Sequence, residues 1–486
     1  MKHSKVLTLL CMALMATMPA CTDGGDNPTP SKPPVEDPDD KEPEKPDDPE
    51  EQEISSELIE NYFNAVLNGE PAEYTANNTL TIDQIDGMTS MVWDIWKRAN
   101  DNLAEDKLPE LSYIKANDKT GTWTMGGDAM DFSYGIKGTD IPEDGYPLFL
   151  MLHGSGDNNS EFAASRTIGL RCDDAPSVYF IPRSPYGGTG CRWYQPSRQK
   201  VWERLLRQAY LTGRFNPNRV YIFGISEGAY GSQRLASFYA EYLAGAGPIA
   251  GGEVLYWAPP ENCANIAFCL QTGSSDTMFG RDRLTQKANS IWDGLQAAHP
   301  GCYEHKIELQ QGYGHACDYY VTTPYLKTFE RNPYPKYVYW ENFPAGNING
   351  EGAAFRNGFY NLYVKERSTD DADDYVRSCY EMTIDGNTVN LNVRVVTVTP
   401  SEPTYISGYQ IYLSVNKSFR RATSGRVVVY LNNELVDLSQ PVTINVNGVQ
   451  KFCGIVKPNL KYMVNSCAEY FDPMRLYPAA VEVTVE

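Results

Sequence analysis

Between Tyr146 and about Pro335 the chain alternates near-continuous apolar runs with amphipathic stretches, and this alternation limits the fold more than any other feature. "YPLFLMLHG", "SVYFIP", "NRVYIFG" and "NIAFCLQTG" offer no regular polar face, and "HKIELQQG" follows them as a further strand. "SRQKVWERLLRQAYLTG" puts Val201, Trp202, Leu205, Leu206, Ala209 and Tyr210 on one side of a helix. "EGAYGSQRLASFYAEYL" reads as a second helix. Apolar strands separated by helices predict an α/β fold: a mostly parallel sheet with helices on both faces.

The texture changes on either side. In residues 54–120, "SSELIENYFNAVL" and "SMVWDIWKRANDNL" space apolar residues at three and four, which predicts an N-terminal helical extension. "GTWTMGGDAMDFSYGI" then alternates like a strand pair and opens a central section, 121–335. Residues 336–486 carry strand-like runs with tight-turn chemistry, as in "GRVVVYLNNELVDL" and "VTINVNGVQKF". They predict a β-rich, sandwich-like domain with a late helix near "NLKYMVNSCAEYF".

The first 20 residues have a basic start, an apolar core and small residues at the end, the pattern of a secretory signal peptide. Cys21 follows in "MPAC", which resembles the lipobox of bacterial lipoproteins despite Pro19; simple cleavage and secretion is the alternative. Residues 21–53 are so rich in Pro, Asp, Glu and Lys that they have almost nothing to bury, and they read as an extended linker. A lipidated Cys21 implies a membrane partner through the lipid anchor and a cell-envelope, outer-membrane location, periplasmic or surface-exposed. "CTDGGD" is similar to the start of surface-exported lipoproteins of the Bacteroides type. The net charge of -20, half of it in the linker, argues against nucleic acid as a partner. Nine cysteines remain after Cys11 and Cys21, with no C-x-x-C pair, so no structural zinc site is expected. No metal or other cofactor is called for.

"YIFGISEGAYGS" sets a serine between two glycines directly after a strand and before a helix. A nucleophilic serine on a sharp turn needs small neighbours two residues away on each side, and Gly224 and Gly228 supply them. Ser226 is therefore the candidate nucleophile. Among the four histidines left after the leader, His315 lies in the glycine-rich "QQGYGHACDY" after the last core strand, where a loop can carry an imidazole over the sheet. The orienting acid should follow an intervening strand. Asp276 in "TGSSDTMFG" does so, with Asp282 in "GRDRL" as its rival and Asp293 within a helix. The backbone N–H groups of Ser155, in "LHGSGDN", and of Glu227 are the candidate oxyanion donors.

The order Ser226, Asp276, His315 is that of α/β-hydrolases. The motifs "LHGSGDN", "GISEGAYGS", "GSSD" and "GYGH" resemble the esterase D and polyhydroxybutyrate-depolymerase-like group, which includes feruloyl and acetylxylan esterases. The block "YIFGISEGAYGSQRLASFYA" and the tail "YLNNELVDLSQPVTINVNG" are similar to predicted esterase lipoproteins of gut Bacteroidetes. The resemblance implies an α/β-hydrolase fold and a serine esterase acting on acyl groups of polysaccharides or oligosaccharides. The same group contains peptidases, so a serine peptidase is the alternative. A non-catalytic glycan-binding lipoprotein is a third reading, against which the complete triad argues. Arg192, Trp193 and Tyr194, in "PRSPYGGTGCRWYQPSRQ", are expected to bind substrate through exposed rings and a cation, with ordinary loop packing as the other reading.

Overall fold

Eight strands make the central sheet: β1 (Gly121–Met125), β2 (Asp128–Lys137), β3 (Tyr146–Leu152), β4 (Ser177–Pro182), β5 (Phe215–Ile225), β6 (Gly245–Ile249), β7 (Ala267–Gly273) and β8 (His305–Gln310). Their order is β1-β2-β4-β3-β5-β6-β7-β8. β2 runs antiparallel to β1 and β4, whereas β4, β3, β5, β6, β7 and β8 are mutually parallel. The helices are α1 (Ser56–Leu67), α2 (Ile85–Asn102), α3 (Asn158–Arg171), α4 (Pro196–Leu211), α5 (Glu227–Phe238), α6 (Arg281–Ala298), α7 (Thr322–Leu326) and α8 (Leu460–Tyr470). This is the α/β-hydrolase arrangement, joined by a β-rich C-terminal region. The computed structural model describes residues 53–125, 128–187, 192–346, 355–369 and 375–486, so the leader, Cys21 and nearly all of the linker lie outside the described residues.

Unbroken apolar strands are explained by two cores, one on each sheet face. Leu148, Leu150 and Leu152 of β3 enter one core, while Phe149 and Met151 enter the other. The six apolar residues expected on one side of α4 are all buried. β6 reads "GAGPI", a composition that suggests a turn, and no strand is expected there from the sequence. It is a strand because α7 lies directly on it. A methyl group on Gly245 would stand 2.9 Å from Leu326 Cδ2, and one on Gly247 would strike Thr322.

The two N-terminal helices form as expected and find their partner at the other end of the chain. Ile59, Phe63, Val92, Ile95 and Trp96 share a core with Leu460, Met463, Val464 and Cys467 of α8. Asn465 clasps the intervening loop, accepting from Tyr74 N at 3.2 Å and donating to Tyr74 O at 2.9 Å. On the same helix Glu469 is tucked beside Tyr430 and near Lys365 and Glu73; burial pushes its carboxyl up to about 8.

The C-terminal strands form a six-stranded and a four-stranded sheet. Trp340 of the first stacks on Phe359 of the second at 5.3 Å, the face-to-face packing of a sandwich. A small separate hairpin pairs Thr404–Ile406 with Tyr409–Ile411. The buried Arg331–Asp472 pair, at 2.6 Å, ties the chain after α7 to this region. The eight described cysteines are all unpaired thiols, and Cys191 lies outside the described residues. No helix among the described residues is long and apolar enough to cross a membrane.

Candidate active site

Strand β5 ends in a backbone conformation that an ordinary residue avoids. Ser226 has φ 58 and ψ -112, and α5 starts at the next residue. The turn is possible because both flanking glycines sit against backbone. A methyl group on Gly224 would lie 2.5 Å from the carbonyl carbon of Gly228, and one on Gly228 would lie 2.6 Å from that of Leu152. Ser226 N donates to Ile249 O of β6 at 2.9 Å, which pins the elbow to the neighbouring strand.

The loops after β7 and β8 bring the other two candidates to this point. Ser226 Oγ lies 3.0 Å from His315 Nε2. His315 Nδ1 lies 2.7 Å from Asp276 Oδ2. The two loops touch at Gly273, where a methyl group would meet Tyr313 O at 2.5 Å. With Nδ1–H directed at the carboxylate, Nε2 is free to accept the serine proton. Burial works upward on Asp276, but the hydrogen bond from His315 and the charge of Arg281 outweigh it and hold the carboxyl below its ordinary value. Asp282 stands in the first turn of α6 with its own N–H bonded to Asp276 O at 3.2 Å, the helix-start position.

Two features of this centre have no local motif. Arg281, at the start of α6, donates to Asp276 Oδ1 at 3.0 Å and to the Tyr230 hydroxyl at 2.9 Å. Its only sequence signal is that it opens a helix five residues after the acid. Glu161 of α3 lays its carboxylate along the "HGSG" turn, where a methyl group on Gly154 would lie 2.8 Å from Oε2 and 3.5 Å from Ser226 Cβ. Gly154 therefore leaves room for the Glu161 carboxylate beside the turn that adjoins Ser226.

His153 is a structural residue. Ser184 N–H donates to its Nε2 at 2.9 Å, so Nδ1 carries the proton and donates to Gly154 O at 2.6 Å. Burial drives its imidazole down to about 4, which keeps it neutral. It holds the turn in shape, and Asp157 caps α3 just beyond, accepting from Ser160 N at 3.0 Å.

The expected aromatic face at residues 192–194 is corrected by the structure. Trp193 is 1% exposed and Tyr194 3% exposed. Trp193 Nε1 donates to His153 O at 2.9 Å, its ring meets the His153 ring edge-on at 4.8 Å, and its backbone carbonyl accepts from Trp202 Nε1 at 3.1 Å. Tyr194 lies under the Arg234 guanidinium at 3.8 Å. Both rings are spent on bracing the elbow. Arg192 is partly exposed, but it is paired with Glu227 at 2.7 Å. Burial raises the Glu227 carboxyl, opposed by that guanidinium. The described residues contain no group of three or more His, Cys, Asp or Glu placed to hold a metal ion.

No protein-family model matches the chain, and no curated protein matches it. Solved structures do align with it. A thermostable esterase aligns at 18% identity with a TM-score of 0.32, over 43% of this chain and 62% of its own. An S-formylglutathione hydrolase from Agrobacterium tumefaciens aligns at 16% identity and TM-score 0.32, over 44% of this chain and 96% of its own. A feruloyl esterase module from Clostridium thermocellum, complexed with sinapinate, aligns at 14% identity and TM-score 0.32, over 46% and 88%. The fold assignment itself rests on the strand order and the elbow.

Proposed function

We propose that the protein is a serine hydrolase of carboxylic esters. The observation that carries this reading is the relay of 3.0 and 2.7 Å from Ser226 through His315 to Asp276, built on a strained elbow. Ser226 Oγ attacks the ester carbonyl carbon as His315 Nε2 takes its proton. The carbonyl oxygen becomes an oxyanion, held by the backbone N–H groups of Glu227 and Ser155, each donor contributing ~3 kcal/mol. His315 then gives the proton to the departing alcohol, leaving an acyl-Ser226. Water, deprotonated by the same imidazole, attacks the acyl carbon and releases the acid and free Ser226. Asp276 fixes the tautomer and stabilises the imidazolium throughout.

The substrate class is an acyl group carried on a polysaccharide or oligosaccharide, supported by the motif resemblance and by a leader and spacer suited to an exported protein. The spacer holds the enzyme off a membrane through a lipid on Cys21. Cys21→Ser should move the protein out of the membrane fraction; a variant that stays there with its leader removed would exclude lipidation as the anchor.

The test of the activity is labelling and turnover together. A fluorophosphonate should label the wild type at Ser226 alone, and Ser226→Ala should keep its thermal transition while losing turnover of aryl acetates, feruloyl esters and acetylated oligosaccharides. Turnover confined to peptide amides would replace the esterase reading with a peptidase. Undiminished ester turnover in Ser226→Ala would remove the nucleophile assignment.

A further inference from the structure

Three residues after the candidate acid, the backbone enters another conformation that a bulky side chain avoids. Phe279 has φ 56 and ψ 16, and Gly280 follows at φ 67. A left-handed aromatic residue is strained and persists only where its surroundings hold it. Here the holder is the C-terminal region. The Thr404–Ile411 hairpin turns through Ser407 at φ 52 and Gly408 at φ 82, a tight two-residue turn. Its register places Ile406 opposite Tyr409 on one face and Tyr405 opposite Gln410 on the other. The first face meets the acid loop. Tyr409 packs edge-on against Phe279 at 4.6 Å, and a methyl group on Gly280 would lie 2.6 Å from Ile406 Cδ1.

This contact is close to the relay. The Arg281 guanidinium carbon is 5.1 Å from the centre of the Phe279 ring, and Arg281 Nη1 is 3.3 Å from His315 Nδ1. With one C–N bond between them, the Phe279 ring is within about 10 Å of the imidazole. Tyr409 is 50% exposed, the adjoining Met278 is 53% exposed, and Phe279 between them is half-buried. Exposed apolar side chains grouped in this way mark a binding surface.

Which half of a substrate would lie here follows from the proton's path. In acyl transfer the imidazole hands its proton to the leaving oxygen, so the leaving alcohol stands on the imidazole side of the nucleophile. Phe279 and Tyr409 adjoin the imidazole through Arg281, at its Nδ1 edge, so a sugar on the leaving oxygen meets the pair by extending past the imidazole. Flat aromatic rings held rigidly suit the flat C–H face of a pyranose. We propose that Phe279 and Tyr409 form the subsite for the alcohol half of the ester, a sugar ring of the carrier glycan, with the C-terminal hairpin completing it. The assignment rests on the ester-hydrolase reading above and gives the C-terminal region a share in specificity.

The experiment varies one half of the ester at a time. Acetylated xylotetraose has a small acyl group and a sugar alcohol, methyl ferulate has a large acyl group and a small alcohol, and ethyl acetate has neither large half. Tyr409→Ala should lower kcat/KM on acetylated xylotetraose about 10-fold, mainly through KM, as loss of one stacking contact implies. The other two substrates should stay within about 2-fold, and Tyr409→Phe should restore the sugar ester. Loss concentrated on methyl ferulate would place the pair on the acyl side and overturn the proposal. Equal loss on all three would make the hairpin a support for the acid loop, and no loss on any would leave the pair without a role; either outcome overturns it. Unesterified xylotetraose titrated into the Ser226→Ala protein, with and without Tyr409→Ala, reads the same subsite without turnover. Weaker binding after Tyr409→Ala supports the subsite, and unchanged binding sinks it. Failure of the wild type to hydrolyse any of the three esters would count against the ester reading instead.

Discussion

Arg281 donates to Asp276 at 3.0 Å, on the carboxylate oxygen that His315 leaves free. The acid is thus shared between two cations once the imidazole takes its proton. The guanidinium helps to hold the carboxyl below its ordinary value, and its Nη1 stands 3.3 Å from His315 Nδ1. Without it, only His315 fixes the orientation of the carboxylate. Arg281→Gln should therefore lower kcat for an aryl acetate about 10-fold with KM little changed, through misplacement of the acid. Arg281→Lys should restore most of the loss. Steady-state kinetics of the two variants measure this, and an Arg281→Lys protein as impaired as Arg281→Gln would reduce Arg281 to a packing role.

Asp276→Asn should lower kcat by up to ~10⁴-fold, because an amide can hold the wrong tautomer of His315 in place. Asp282→Asn changes a residue in the first turn of α6 and should alter kcat only a few-fold. Steady-state kinetics of the two variants at neutral pH decide between them; greater damage from Asp282→Asn would show that the acid has been misassigned.

Trp193→Ala should destabilise the protein by about 3–5 kcal/mol, the usual cost of emptying a buried indole site. Activity should fall on small and large substrates alike, because the turn held through His153 loosens. Trp193→Phe keeps most of the volume but drops the indole donor to His153 O, and it should be milder. Denaturant unfolding beside turnover of two substrates of different size measures both effects. A stable Trp193→Ala protein that failed only on large substrates would return the residue to the substrate-contact role.

Glu469 sets a pH dependence of stability unconnected with catalysis. Its carboxyl is raised from 4.5 to about 8, by burial first, with Tyr430 and Lys365 pulling the other way. Between those two values the folded form holds a proton that the unfolded chain releases. Stability from this group is therefore fully present below about pH 4.5 and declines as pH rises through about 8. Glu469→Gln keeps a neutral side chain at every pH and should flatten that decline. Urea unfolding near about pH 5 and about pH 8.5 tests it; an unchanged pH slope in the variant would assign the effect to other groups.

The meeting of Ser226, Asp276 and His315 could be read from the chain because each sits at a junction with a local signature. Ser226 lies between strand and helix, Asp276 follows a strand, and His315 lies in a glycine-rich loop. Their order along the chain then matches their order across the sheet. Arg281 could not be read this way, since its contact with Asp276 depends on Phe279 and Gly280 taking left-handed conformations that residue identity does not announce. Trp193 misled for a related reason. A polar, glycine-bearing loop looks exposed locally, and what buries it are partners 40 residues before it, at His153, and 9 residues after it, at Trp202. β6 hid because its glycines answer to α7, more than seventy residues downstream.

The clasp between Tyr74 and Asn465 joins residues 391 positions apart. A chain made from its N-terminus has α1 and α2 in hand early, with Phe63 meeting Trp96 edge-on at 4.9 Å, but without the partner that covers the rest of their apolar face. That cover arrives only with α8, after the strands of the central sheet have all been made. Closure of this seam therefore joins contacts of very long sequence separation, the kind whose loop-closure cost slows folding. A protein cut short before α8 would keep its relay residues and still present a sticky helical pair to its neighbours.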